Sequence, residues 1–378
     1  MESIIKQYVD AHKDELFSLL RDICLIPAPS HCEDARAEFC KSWLEAAGAK
    51  GVYIDEAKNV VFPLGCEESR EITVLAAHTD TVFPDTEPMP YEDDGEIIRC
   101  PGVGDDTACV AVLLLTAKFM IREGIIPKGG LLFVCNSCEE GLGNLKGCRQ
   151  IFKDYAGRVK QFVSFDGYFC NLSNRCVGSH RYEVEVRTKG GHSWSRFGSK
   201  NAIAELSKMI GKIYGLEVPR VGDSRTTYNV GTVEGGTSIN TIAQKANMFC
   251  EYRSDNEECL AIMEKHFKRI FEEAKSDEVQ VSVERVGERP CMGQVDHQKI
   301  ERMSEIVDEI VRRNTGIVPV PTAMSTDCNI PFSLGIPAVM IGVCEGGGAH
   351  TREEWIKKEN FHLGLKVGIE IAVALSLL

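Results

Sequence analysis

Ile72-Thr73-Val74-Leu75-Ala76-Ala77-His78-Thr79-Asp80 is an almost unbroken apolar run that ends on a histidine and an aspartate. Such a run reads as a strand buried on both faces, the kind a parallel sheet requires. The arrangement recurs along the chain. Gly130 to Cys135 precedes Glu139-Glu140, Gln161 to Phe165 precedes Asp166, and Ile336 to Val343 precedes His350. Asp105-Asp106 follow a glycine turn instead. In an open α/β sheet the strand C-termini share one edge, and ligands bind in the crevice outside it. Two histidines and several carboxylates gathered there would repel and protonate without a cation, whereas around two zinc ions they form a catalytic centre. The pattern is that of a metallohydrolase.

The chain has 378 residues, a length that suits about two or three domains with cores of their own. Hydrophobic content of 43% and charged content of 26% are ordinary for a soluble globular protein. A formal net charge of −13 argues against a sequence-independent nucleic-acid binder, which needs a basic face. No apolar stretch reaches the ~18 residues of a membrane span. Met1 to Lys6 leads into an amphipathic helical pattern and lacks a signal-peptide core. The sixteen cysteines are scattered, not clustered as in a disulfide framework, and Cys109, Cys135 and Cys250 lie in apolar segments where a thiol acts as a small hydrophobe. A reducing cytoplasm is expected. Cys135-Asn136-Ser137-Cys138 is a lone CxxC with no second pair, which reads as a strand-end coincidence.

Helical periodicity covers Ile4 to Ile26, Glu33 to Ala47 and Thr107 to Glu123, with the apolar strands between them. Helices alternating with buried strands make an α/β layer sandwich. Near residue 180 the pattern changes. Arg181 to Thr188 alternates, Asn201 to Tyr214 is helical, and Thr226 to Val233 and Lys245 to Arg253 are strands. Glu257 to Lys275 is helical, and Val279 to Val286 alternates again. That β-α-β-β-α-β order is the signature of a ferredoxin-like unit. Lys299 to Arg313 then returns to a helix. We therefore expect an α/β catalytic domain over residues 1–178 and 291–378, with a small α+β domain inserted over 179–290.

Each chemical cluster also has a plainer reading. His78 and Asp80 point to the same side of a strand, and a ligating imidazole commonly donates its other N–H to a carboxylate; Asp80 could equally cap a loop. Asp106 suits a helix N-cap, although two adjacent aspartates exceed what capping needs. Glu139-Glu140 could be a solvated acidic turn, or one could bind metal while its neighbour moves protons. Asp166 could be a turn aspartate. His350 follows Gly346-Gly347-Gly348-Ala349, where glycines allow close backbone packing. Gly141-Leu142-Gly143-Asn144-Leu145-Lys146-Gly147 suggests an alternative, a dinucleotide-binding oxidoreductase. Its spacing is one residue too long for GxGxxG, and Glu139-Glu140 would face the pyrophosphate.

Taken together, these motifs and their order resemble the two-zinc exopeptidases and deacylases that include peptidase T, carboxypeptidase G and acetylornithine deacetylase. The likeness runs over essentially the whole chain. It implies a zinc exopeptidase-like α/β sandwich interrupted by a ferredoxin-like lid through which the chain forms a homodimer. It also implies two Zn(2+) per chain, with cobalt or manganese as substitutes. Carried over by motif, His78 and Asp166 bind the first zinc, Glu140 and His350 the second, and Asp105 bridges them through a residue whose bond to Asp106 is cis. Glu139 becomes the general base, and Asp80 supports His78. In the lid, Gly190-Gly191-His192-Ser193 resembles the segment whose histidine reaches the partner subunit's site to stabilise the oxyanion. Gly235 to Asn240 and Glu251-Tyr252-Arg253-Ser254 resemble segments that hold a substrate carboxylate, which makes Asn240 and Arg253 substrate-binding residues.

Gly191, Phe197, Ala243 and Glu251 stand where the family more often has alanine, proline, proline and aspartate. These departures leave the subgroup open. The resemblance implies a metallopeptidase of di- or tripeptides, of aminopeptidase type, or a deacylase of N-acyl amino acids.

Overall fold

The computed structural model describes residues 1–377. The chain divides into two compact units, Met1–Cys176 with the C-terminal segment from Gly293, and Val177–Met292.

The larger unit is built on an eight-stranded sheet. Its order is Tyr53–Ile54, Val60–Leu64, Gly130–Asn136, Ile72–His78, Val159–Phe165, Ala338–Ile341, Asn171–Cys176, Val320–Met324. Every residue of Ile72–His78 and Gly130–Asn136 is buried, as their apolar sequences require. These two strands run parallel, as do Val159–Phe165 and Ala338–Ile341, so their C-termini open on one edge. The sheet as a whole is mixed. Val60–Leu64 runs antiparallel to Gly130–Asn136, and Asn171–Cys176 antiparallel to Ala338–Ile341.

Helix Ala108–Arg122 is apolar around most of its circumference, and all residues from Ala108 to Ala117 are buried. The expected helix over Ile4 to Ile26 is two helices, Glu2–Ala11 and Lys13–Cys24. They part at His12, which takes φ −116° and ψ 16°. Its Nδ1 lies 2.7 Å from the Tyr8 carbonyl oxygen, and its ring stacks on Tyr8 at 3.9 Å. The same Tyr8 carbonyl also accepts the His12 backbone N–H at 3.1 Å.

The inserted unit follows the order Gly178–Thr188, Ala202–Tyr214, Thr226–Gly235, Lys245–Ser254, Glu257–Glu273, Val279–Arg289. Its antiparallel sheet runs Thr226–Gly235, Lys245–Ser254, Gly178–Thr188, Val279–Arg289, the ferredoxin-like arrangement. Alternation puts Tyr182, Val184 and Val186 in a core with Leu206, Met209, Met263 and Phe267 from the two helices. Asn201 and Asn256 cap those helices, accepting from Ile203 N–H and Cys259 N–H at 3.0 Å each. Among the described residues no helix is long and apolar enough to cross a membrane. All sixteen cysteines are free thiols.

Candidate metal centre

The sheet edge delivers the expected side chains to one place. His78 is the last residue of its strand, Asp166 directly follows Val159–Phe165, and Glu139 and Glu140 lie three and four residues beyond Gly130–Asn136. His350 comes from farther off, since the strand in its preceding run covers only Ala338–Ile341; His350 itself has φ 64°. Asp105 lies in the turn Val103–Thr107, and the Asp105–Asp106 peptide is cis.

Two donor sets share one carboxylate. His78, Asp105 and Asp166 offer ligand atoms within 4.8 Å of one another, and so do Asp105, Glu140 and His350. His78 Nε2 is 3.0 Å from Asp105 Oδ1, and His350 Nε2 is 3.2 Å from Asp105 Oδ2. His350 Nε2 is also 3.2 Å from Glu140 Oε1. Glu139 joins His78 and Glu140 in a third cluster of this kind.

A surrounding layer fixes these groups. Asp80 is fully buried, and its two oxygens accept the backbone N–H groups of Glu139 and Glu140 at 2.9 Å each. His78 Nδ1 lies nearer the Asp80 carbonyl oxygen, at 3.0 Å, than its carboxylate, at 3.5 Å. Asp80 is thus both loop cap and imidazole support. Asp106 does not cap the following helix, which has no side-chain cap at Thr107; its Oδ2 accepts from His78 N–H at 2.9 Å.

Four further buried residues escaped the sequence reading. Arg36 donates to the Thr79 carbonyl at 2.8 Å. Glu33 accepts from Cys138 N–H at 3.0 Å and from its thiol at 3.2 Å, so the lone CxxC supplies a packing thiol. Asp327 accepts from the Asn136 amide at 2.6 Å. Glu354 holds the backbone of the Asp105 turn.

Burial and the mutual proximity of these groups move several of them from their ordinary values. Burial, joined by the Asp105 and Glu139 charges, pushes Glu140 up to about 7. Burial and Asp105 push Asp166 well above the carboxylate range. Hydrogen bonds to Asp105 and Glu140 raise His350 to about 11. Burial favours a neutral Asp105, yet the His350 and His78 imidazoles outweigh it and hold that carboxyl low. Asp106 Oδ1 and Asp327 Oδ1 are buried without a hydrogen-bond partner. Imidazole nitrogens and carboxylate oxygens, in two sets bridged by one aspartate, form a donor set that suits a pair of zinc, cobalt or manganese ions.

The other expected residues lie in the inserted unit. Short strands pair Gly191 with Ile242 and His192 with Thr241, and Ser193 N–H donates to the Asn240 carbonyl at 3.0 Å. His192 and Asn240 are therefore neighbours, both exposed. His192 Nδ1 accepts from Trp194 N–H at 3.2 Å. Arg253 forks onto Glu251, with Nε at 2.7 Å from Oε1 and an Nη2 bond of 3.0 Å to Oε2.

The chain belongs to the peptidase family M20/M25/M40, whose model matches residues 74–374. It is 27% identical over 278 residues to a peptidase M20 domain-containing protein of Schizosaccharomyces pombe, covering 69% of this chain and 66% of that protein. The chain thus spans just under two thirds of that relative. It is 25% identical over 367 residues to a succinyl-diaminopimelate desuccinylase of Corynebacterium glutamicum, covering 94% and 95% of the two chains. The fold matches that of a tripeptidase from Staphylococcus aureus with a TM-score of 0.76, 21% identity and coverage of 96% and 98%. Membership of this family displaces the dinucleotide-binding alternative. Its glycines serve packing: a Cβ on Gly143 would lie 2.6 Å from the Cys138 carbonyl oxygen, and one on Gly147 2.4 Å from that of Ser137.

Proposed function

We propose that the protein is a two-metal hydrolase, zinc-loaded in the cell, that cleaves an amide bond in a small peptide. The observation that carries this reading is the Asp105 carboxylate, shared between the His78–Asp166 and Glu140–His350 donor sets. When bound, the metal pair would supply Lewis acidity, polarising the scissile carbonyl and bringing the pKa of a water from ~15.7 toward ~7. Glu139 takes a proton from the attacking water and hands it to the leaving amine. Asp80 keeps that carboxylate oriented through the Glu139 backbone. His192, acting from a partner subunit, donates to the developing oxyanion, and Asn240 and Arg253 hold the substrate carboxylate.

A homodimer through the inserted unit agrees with its edge strand Thr226–Gly235, whose last five residues are exposed. Sixteen free thiols, most of them buried, agree with a reducing cytoplasm.

The second reading is deacylation of an N-acyl amino acid. It is favoured by the near full-length match to a desuccinylase. A turnover screen of zinc-loaded protein on di- and tripeptides against N-acyl amino acids separates the two. The shared core of both readings is tested by metal analysis. Two equivalents per chain, with activity abolished by chelation and restored by zinc, is the expected result; metal-free protein with full activity would refute it.

A further inference from the structure

Glu354 follows His350 by four residues and is 1% exposed, yet no arginine, lysine or histidine pairs with it among the described residues. Its carboxylate is satisfied by backbone alone. Oε2 accepts from Gly102 N–H at 2.7 Å, and Oε1 accepts from Gly104 N–H and Asp105 N–H at 2.8 Å each. Its own carbonyl accepts from Cys100 N–H at 3.2 Å. Directly after it, strand Trp355–Lys357 pairs with Ile97–Arg99, the strand leading into the same turn.

The turn held in this way carries Asp105, the carboxylate common to both donor sets. The segment doing the holding carries His350, which belongs only to the second set. One buried side chain therefore ties the bridging ligand to a terminal ligand of the second site. A carboxylate is the group suited to this task, because it offers two acceptor oxygens to converging N–H groups and has no donor to oppose them. Gly104 is small for the same reason. A Cβ there would stand 3.2 Å from Glu354 Oε1 and 2.6 Å from the Tyr168 ring.

We propose that Glu354 is a positioning residue that couples the two metal sites, fixing Asp105 relative to His350 so that the second ion binds a preformed pair of ligands. This inference rests on the two-metal reading. Outer groups that orient ligands commonly contribute 10–100-fold to metal affinity. His78 ends strand Ile72–His78 and Asp166 follows Val159–Phe165, whereas the hydrogen bonds of the Glu354 carboxylate all go to the Gly102–Asp105 backbone, so the first site should be less affected.

The test uses the full-length protein stripped by chelator and titrated with zinc by calorimetry, alongside Glu354→Gln and Glu354→Asp. Glu354→Gln keeps the shape but turns an N–H2 toward backbone N–H groups. Its second zinc equivalent should bind about 10–100-fold more weakly while the first changes little. Hydrogen exchange on the metal-free chain should show lost protection at the amides of Gly102, Gly104 and Asp105. If Glu354→Gln does not fold, Glu354→Asp, with its carboxylate drawn back by one methylene, should show an intermediate loss confined to the second site. Parent-like affinity for both equivalents in a folded variant would overturn the proposal, as would equal weakening of both with unchanged protection at those amides. A parent protein that binds fewer than two equivalents would refute the two-metal reading itself, and the coupling with it.

Discussion

Asp80 Oδ1 accepts the backbone N–H of Glu139 at 2.9 Å, so the buried aspartate after His78 sets the orientation of the residue assigned as the base. Its other oxygen takes Glu140 N–H at 2.9 Å and the Ser30 hydroxyl at 2.6 Å. Asp80→Asn would present an amide N–H2 to one of those donors and twist the loop. Turnover should fall by about 10–100-fold, the loss usual for an outer-layer partner of a metal site. Kinetics paired with metal analysis checks this. Native kcat in the variant would show that the loop holds its shape without the charge.

Adjacent Glu139 and Glu140 should separate cleanly. Glu139→Gln should retain both metals and lose ~10²–10⁴ in kcat, the usual contribution of a positioned base. Glu140→Ala removes a member of the second donor set and should lose one metal equivalent. Metal stoichiometry and kcat measured on both variants decide the matter, and the reverse pattern would move the assignment by one residue.

If His192 acts across a dimer, inactive His192→Ala chains mixed with inactive Glu139→Gln chains should regain activity. One hybrid site would then hold both intact groups. Subunit exchange would be verified separately by mass-tagged chains. Exchange without recovered activity would confine His192 to its own chain or to the turn it shares with Asn240.

The central strands were legible because burial on both faces demands a continuous apolar sequence, and Ile72–His78 and Gly130–Asn136 have one. The edge of the same sheet was not. Asn171–Cys176 reads Asn-Leu-Ser-Asn-Arg-Cys, and Val320–Met324 contains Pro321 and is mostly exposed; tertiary pairing makes them strands. His78, Glu139, Glu140 and Asp166 stood out through their shared position after buried strands, whereas Asp105 follows a glycine turn and the role of each toward a metal came from the resemblance. Glu33, Glu354 and Asp327 gave no such signal, being single carboxylates whose burial arises only in the fold. Arg36 did leave one. It lies on the stripe of helix Asp34–Ala46 with Cys40 and Leu44, a charged residue where periodicity calls for an apolar one.

Two helical glycines should respond to alanine with opposite signs. Gly211 is exposed in helix Ala202–Tyr214 with nothing within 4 Å of a Cβ, so Gly211→Ala should stabilise by about 0.5–1 kcal/mol. Gly364 lies in helix Lys358–Ser376, but there a Cβ would stand 1.8 Å from the Val343 carbonyl oxygen. Overpacking costs about 1–3 kcal/mol or more and outweighs the propensity gain. Denaturant unfolding of both variants measures the two shifts, and stabilisation by Gly364→Ala would mean that the helix can move away from the sheet.

Arg253 tests the polarity of the substrate. Its guanidinium is engaged on Glu251 through Nε and Nη2, and the side chain is 36% exposed. That geometry leaves the Nη1 edge for a ligand, and a planar guanidinium suits a carboxylate. An exposed ion pair contributes only about 0–1 kcal/mol, whereas breaking one that is desolvated costs several. If bound substrate shields this group, amidating the C-terminus of a good peptide should lower kcat/KM by more than tenfold, equivalent to about 1.4 kcal/mol. Arg253→Ala should then cut the free acid poorly and erase most of the difference between acid and amide. Equal cleavage of both peptides by the parent enzyme would leave Arg253 with a structural role, holding Glu251 on the sheet of the inserted unit. In that case Arg253→Ala should lower the unfolding midpoint and leave kcat/KM unchanged.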